Sequence, residues 1–88
     1  MQYVTQVRYI SGYTLELTFN NGFVGTVDLT DELYGLLFEP LKDINEFRKV
    51  RVEPELSTIV WPNGADLAPH HLYDLVLKSN EQRLAKAV

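Results

Sequence analysis

The stretch YTLELTFNNGFVGTVDL, residues 13–29, decides the fold. Apolar side chains recur at every second position of two runs: Tyr13, Leu15, Leu17 and Phe19 in the first, and Phe23, Val27 and Leu29 in the second. This period of two is typical of β-strands with one buried face. The turn-forming residues Asn21-Gly22 lie between the runs, so the stretch predicts an antiparallel hairpin.

The length of the turn decides which side chains share a face. A two-residue turn at Asn21-Gly22 would set Leu15 opposite Asp28 and place a carboxylate on the buried face. A three-residue turn instead pairs Leu15 with Val27 and keeps the apolar side chains together. We therefore predict a type I turn with Gly22 left-handed in a bulge, and Asp28 in solvent.

Shorter elements are predicted on both sides of this hairpin. Residues 3–10 are typical of a strand that is either covered on both faces or changes sides at a bulge. Thr30 is predicted to cap a short helix that Gly35 closes. Asp43 is predicted to cap a second short helix, with Phe47 as its inward anchor.

The C-terminal half alternates first and then becomes helical. Residues 48–52 and 58–61 are predicted strands. Asp66 is predicted to cap the last helix, with Pro69 inside its first turn, where a missing N–H costs nothing. Ser79-Asn80 is predicted to end or loosen that helix.

Length and composition agree with one domain. The chain has 88 residues, of which 45% are hydrophobic, enough for one modest core. We predict an α+β domain over residues 1–79, with a small antiparallel sheet of about five strands in hairpins, two short helices and a C-terminal helix. Residues 80–88 are predicted to be a frayed or weakly helical tail.

Composition also excludes several classes of chemistry. The chain has no cysteine, which removes disulfides, thiolate nucleophiles, iron–sulfur clusters and thiolate zinc sites. The net charge is −4 and the eight Lys and Arg are scattered, so no basic face for nucleic acid is predicted. No apolar run reaches the roughly 20 residues of a membrane span, and the N-terminus lacks the order of a signal peptide. We expect a cytoplasmic protein with no cofactor and no membrane partner.

Asp66 and His70 are the candidates for catalysis. They are four residues apart across a predicted helix start, where a carboxylate could orient a general base or share a metal ion. The alternative is a helix cap beside a solvated histidine. We favour the alternative, and a protein that is not an enzyme, because no serine, cysteine or second carboxylate completes a catalytic group.

Trp61-Pro62-Asn63-Gly64-Ala65-Asp66 is the most unusual local sequence. It is either a recognition loop, in which Trp61 anchors a partner and Asn63 and Asp66 are polar handles, or a connector whose Trp packs under the sheet. The connector is the favoured interpretation.

Two phenylalanines complete the set of candidate interaction residues. Phe23 lies at the end of a predicted strand, and Phe38 ends the run Leu36-Leu37-Phe38, which is either an exposed patch or part of the core. The acidic residues do not match the calcium-loop pattern, and no metal site is predicted.

The order of these motifs resembles the bacterial family known as domain of unknown function 2442. The resemblance covers roughly residues 4–75, and its most specific part is the string from Trp61 to Asp66. It implies an α+β domain with no established activity or cofactor, and therefore supplies no catalytic residues. Some relatives carry an added helix-turn-helix domain for DNA, for which we expect no room here. Phe23 departs from the family, where an acidic or polar residue is more common.

The resemblance also implies a partner, because members are often encoded beside another small protein, as in toxin–antitoxin pairs. The sequence therefore predicts a non-catalytic protein-interaction module that binds a protein partner or a second copy of itself, through a sheet edge or the Trp61–Asp66 corner. A small enzyme or ligand-binding domain using the Trp61–His71 corner is the first alternative. A nucleic-acid-associated adaptor is the second.

Overall fold

Five strands and a long C-terminal helix form an α+β fold in the computed structural model, which describes residues 1–86. The elements are β1 (Val4–Ser11), β2 (Thr14–Phe19), β3 (Val24–Asp28), a first 3₁₀ turn (Thr30–Glu32), a second 3₁₀ turn (Glu39–Lys42), α1 (Ile44–Phe47), β4 (Arg51–Glu53), β5 (Thr58–Val60) and α2 (Pro69–Lys86). The predicted fold class is confirmed. The strands divide into two antiparallel sheets, β1-β2-β3 and β4-β5. The N–H of Val4 donates to the carbonyl of Ser57 and joins one sheet to the other.

The hairpin of β2 and β3 has the predicted register. Leu15 pairs with Val27. The N–H of Phe19 donates to the carbonyl of Phe23 at 2.9 Å, and the turn between them is closed by Gly22 with φ of 86°. Leu15 is fully buried while Asp28 is exposed, so burial of one face selects the three-residue turn.

Strand β1 changes sides at a bulge, one of the two possibilities left open. Its pairing with β2 shifts between Val4 and Gln6, and again between Tyr9 and Ser11. The extra residue at the first shift reverses the alternation. In a regular strand, even and odd positions face opposite sides of the sheet. Because of the extra residue, Val4 and Tyr9 both face the core: Val4 is buried and Tyr9 packs against the core.

The two predicted short-helix caps have different outcomes. Thr30 is not a cap, because Asp28 Oδ1 at the end of β3 already accepts from the N–H and the hydroxyl of Thr30. Asp43 caps α1 as predicted, accepting from the N–H of Asn45 at 3.0 Å, and Phe47 is fully buried.

The C-terminal half also corrects two predictions about where elements begin. Strand β4 begins at Arg51 rather than at residue 48, because Arg48 still ends α1. Asp66 is not a helix cap: its backbone forms a β-bridge with Val60, and α2 begins at Pro69.

Helix α2 continues through Ser79-Asn80 to Lys86 rather than ending there. The residues after Asn80 include Glu, Gln, Arg, Leu, Ala and Lys, which are strong helix formers. Residues 87 and 88 of the predicted tail lie outside the described residues.

Helix α2 covers the inner face of the three-stranded sheet. Leu72 and Val76, which belong to α2, are fully buried. A Cβ built on Gly25 of β3 would lie 2.3 Å from Val76 Cγ1, so helix and strand approach so closely that only glycine fits. Gly25 is therefore the position on β3 where α2 docks.

Candidate interaction site

The segment after β5 folds into a tight turn. The N–H of Trp61 donates to the carbonyl of Ala65, and the N–H of Gly64 donates to the carbonyl of Trp61, both at 2.9 Å. Gly64 has φ of 90°, which suits glycine and explains the Asn-Gly pair. The turn is thus closed by backbone groups of the chain itself.

The indole of Trp61 belongs to the core. It is 2% exposed, and its Nε1–H donates to the carbonyl of Phe47 at 2.9 Å. The rings of Phe38 and Phe47 flank it, with centroids 6.0 and 5.8 Å away. A buried indole with its N–H satisfied has the connector role, and it presents no surface to a partner in this conformation.

Asn63 ties this turn to a second loop. Its Oδ1 accepts from the N–H of Ala65 at 3.0 Å. Its Nδ2 donates to the carbonyl of Leu37 at 2.7 Å, across 26 residues of sequence. Although Asn63 is on the surface, both ends of its amide are therefore engaged with the protein's own backbone.

Asp66 and His70 lie at the surface without contact. Both are exposed, and no hydrogen bond joins them in the described part of the chain. His71 instead contacts Glu32 of the first 3₁₀ turn through Nε2 and Oε1. Sequence reasoning missed this pair, because the two residues are 39 positions apart and share no motif. Across residues 1–86, no three His, Asp or Glu side chains are grouped to hold a metal ion.

The two candidate phenylalanines are half-buried. Phe23 packs against the rings of Phe19 and Tyr73, with centroids 6.2 and 5.5 Å away. The ring of Phe38 packs edge to face against the ring of Trp61. Each ring is therefore partly committed to the core and keeps one edge in solvent.

The residues Tyr34–Leu37, here called the apolar loop, are the strongest exposed hydrophobic feature. Tyr34 is 70% exposed, Leu36 93% and Leu37 47%. Single exposed leucines are common, but here two consecutive leucines and a tyrosine are exposed within four residues. The structure thus divides the run 36–38: its leucines face solvent and Phe38 faces the core.

Hydrogen bonds hold the apolar loop in place. The carbonyl of Gly35 accepts from the N–H of Glu39 at 2.9 Å, and that of Leu37 accepts from Asn63. Leu33, directly before the loop, is buried in the core. The loop is therefore anchored at both ends.

Negative charge is concentrated in the sequence on either side of this loop. Six carboxylates and one lysine lie between Asp28 and Glu46, a net charge of −5, whereas the whole chain carries −4. The segment that contains the apolar loop is therefore strongly acidic.

The described cations are largely paired. The ion pairs are Arg8–Glu16, Lys42–Glu39, Lys49–Glu46 and Arg51–Glu53, with N–O distances of 2.9–3.2 Å. Arg8 donates a hydrogen bond to Glu16. This bond and the attraction of the Glu16 carboxylate raise the pKa of Arg8 above its usual value. Arg48 lies 5.1 Å from the ring centre of Tyr9. The four cations paired with carboxylates therefore do not form a basic face.

Two antiparallel sheets with a covering helix place the protein among small α+β domains. The chain belongs to the family described as "Protein of unknown function (DUF2442)", whose model matches residues 4–77. No match was found among curated proteins. None of the helices in the described part of the chain has the length and hydrophobicity of a membrane-spanning segment.

A solved structure shares this fold. It is described as "Crystal Structure of Putative DNA Binding Protein NE0471 from Nitrosomonas europaea ATCC 19718". It is similar to this chain with a TM-score of 0.79 and 21% sequence identity. The similarity covers 92% of this chain but only 52% of the other, so this chain spans about half the length of that protein.

Proposed function

We propose that the protein is a non-catalytic protein-interaction module that contacts its partner through the apolar loop. The observation that carries this proposal is Leu36, 93% exposed on a loop whose two ends are fixed by hydrogen bonds. Burying one leucine side chain on binding contributes about 1.5–3 kcal/mol. Because the loop is already ordered, little of that free energy is lost in fixing its conformation on binding.

The two-gene arrangement implied by the family resemblance names the first partner to test. In this proposal the product of an adjacent gene binds the module, as in a toxin–antitoxin-like pair, and the complex acts in the cytoplasm. The acidic segment from Asp28 to Glu46, which contains the apolar loop, favours a partner whose contact surface combines apolar and basic side chains.

The test is co-purification from cells that naturally express the protein. The tagged chain, Leu36→Asp and Leu56→Asp are compared, and proteins retained in stoichiometric amounts are quantified by mass spectrometry. Leu56 is a matched control, because it is 52% exposed but lies in the turn between β4 and β5. We expect the wild type and Leu56→Asp to retain the same partner and Leu36→Asp to lose it. Equal retention by all three, or no stoichiometric partner for the wild type, contradicts the proposal.

A nucleic-acid-associated adaptor is the second candidate, favoured by the name of the similar solved structure. The paired cations argue against direct phosphate contact, because binding to DNA relies on Lys and Arg that displace counterions. Titration of a labelled duplex DNA at rising salt separates the two candidates. Binding that is tight at low salt and falls steeply as salt increases supports the adaptor.

The corner from Trp61 to His71 offers less support for catalysis. A general base needs an orienting partner within hydrogen-bond reach, and Asp66 and His70 both point into solvent. Alanine at His70 is therefore expected to leave partner retention unchanged in the same co-purification assay.

A further inference from the structure

Strand β3 is an edge of the three-stranded sheet. On the side of β2, the carbonyl of Phe23 accepts from the N–H of Phe19, and the N–H of Leu29 donates to the carbonyl of Tyr13. Because the directions of the N–H and C=O groups alternate along an antiparallel strand, those of Val24, Thr26 and Asp28 point away from β2. Such a row is the template to which another strand bonds.

An open cleft of about 480 Å³ lies beside the second half of β3. Val27 of β3 and Leu75 of α2 form its apolar part. Asp28 and Asp31 line the side of the first 3₁₀ turn, and Lys78 lines the side of α2. The free edge of β3 thus lies beside a cleft that has both an apolar part and charged side chains.

We propose that β3 binds an extended segment of a protein partner, which adds to the sheet as a fourth strand and places side chains in this cleft. Main-chain hydrogen bonds supply affinity in this mode, and alternate side chains supply specificity. The site lies on β3 and α2, so the proposal goes beyond the apolar loop and does not rest on it.

The cleft specifies the sequence of the added strand. A side chain opposite Val27 lies on the inner face of the sheet and meets Leu75, so it is apolar. A side chain opposite Asp28 lies on the outer face beside that carboxylate, so it is lysine or arginine. Lys78 excludes a basic residue on the helix side. The ligand is therefore a segment that alternates apolar and basic residues.

A second copy of the chain fits this edge less well. Antiparallel pairing of two copies about Thr26 would set Val24 of one against Asp28 of the other. An apolar side chain would then lie opposite a carboxylate, where a cation belongs. Charge complementarity thus favours a different chain.

The test uses a phage-displayed library of random linear peptides, selected on the immobilised full-length protein. The best peptide is then titrated against the wild type, Thr26→Pro, Asp28→Asn and Glu55→Gln. Proline at Thr26 removes an outward N–H without breaking a bond to β2, and Asn at Asp28 keeps the acceptor for Thr30. Glu55 is the control acid, exposed in the turn after β4.

We expect selected peptides with alternating apolar and basic residues that perturb the amides of Val24, Thr26 and Asp28 in NMR spectra. Affinity should fall at least tenfold in Thr26→Pro and about two- to fivefold in Asp28→Asn, as for one exposed ion pair. Glu55→Gln and Leu36→Asp should bind as the wild type does, and the Leu36 variant keeps this result independent of the apolar loop.

Four results overturn the proposal. They are a selection without enrichment, peptides that perturb amides elsewhere, an Asp28→Asn affinity equal to that of Glu55→Gln, and a free protein that sediments as a dimer with protected β3 amides. If Thr26→Pro does not fold, the comparison of Asp28→Asn with Glu55→Gln decides alone.

Discussion

The turn from Trp61 to Ala65 and the apolar loop are in contact, but they differ in how far their side chains are buried. One hydrogen bond, from Asn63 Nδ2 to the carbonyl of Leu37, joins them. The turn buries its indole to 2% exposure, whereas the loop leaves Leu36 93% exposed. The most conspicuous string in the sequence therefore stabilises the fold, and plain leucines 25 positions earlier remain available to a partner. The two regions thus differ in burial, and an unusual sequence does not by itself indicate a binding surface.

The largest expected effect is on the buried side of this comparison. Trp61→Ala removes a fully packed ring and its bond to Phe47, and should lower the free energy of unfolding by about 3–5 kcal/mol. Urea denaturation followed by circular dichroism measures it. A loss below about 1 kcal/mol would mean that the indole is not part of the core.

A second large effect is expected where α2 docks on β3. Gly25→Ala forces a methyl group into Val76 and should cost about 1–3 kcal/mol. The double variant Gly25→Ala, Val76→Ala should recover part of this loss, because the second change makes room. Strict additivity of the two single effects in a double-mutant cycle would contradict the close approach.

A smaller effect is expected at the link between the two regions. Asn63→Ala removes two side-chain hydrogen bonds, each worth about 0.5–1.5 kcal/mol, and should destabilise the protein by about 1–3 kcal/mol. It should also speed amide hydrogen exchange in residues 34–37, which lose their tether. If exchange there stays at the wild-type rate, Asn63 does not hold the loop.

The smallest effect on stability is expected on the exposed side. Leu36→Asp should change the free energy of unfolding by no more than about 0.5 kcal/mol, because the side chain has little to lose. Leu33→Asp is its contrast three positions earlier, where the leucine is buried and a carboxylate should prevent stable folding. Equal effects of the two variants would show that the loop is not exposed as described.

The sequence predicted the β2–β3 hairpin in detail because two local signals agreed there. Alternation marked the faces, and the position of Asp28 selected a three-residue turn. The same reasoning failed at Thr30 and Asp66, where capping residue types occur in the right order. Neither caps a helix, because Asp28 and the bridge to Val60 fix the chain at those points.

The candidate site was only partly predictable. The run 36–38 was recognised as apolar, but nothing local decides that Leu36 faces solvent while Phe38 packs on Trp61. Contacts between distant segments decide it. The same is true of His71 and Glu32, and of the amide of Asn63, whose partner lies on another loop.

The most direct test of the account is the dissociation constant of the purified partner for the wild type, Leu36→Asp and Leu56→Asp, measured by isothermal titration calorimetry. Loss of one buried leucine at about 1.5–3 kcal/mol predicts binding at least tenfold weaker for Leu36→Asp, with Leu56→Asp unchanged. Equal dissociation constants for the two variants would contradict the claim that the apolar loop is the binding surface.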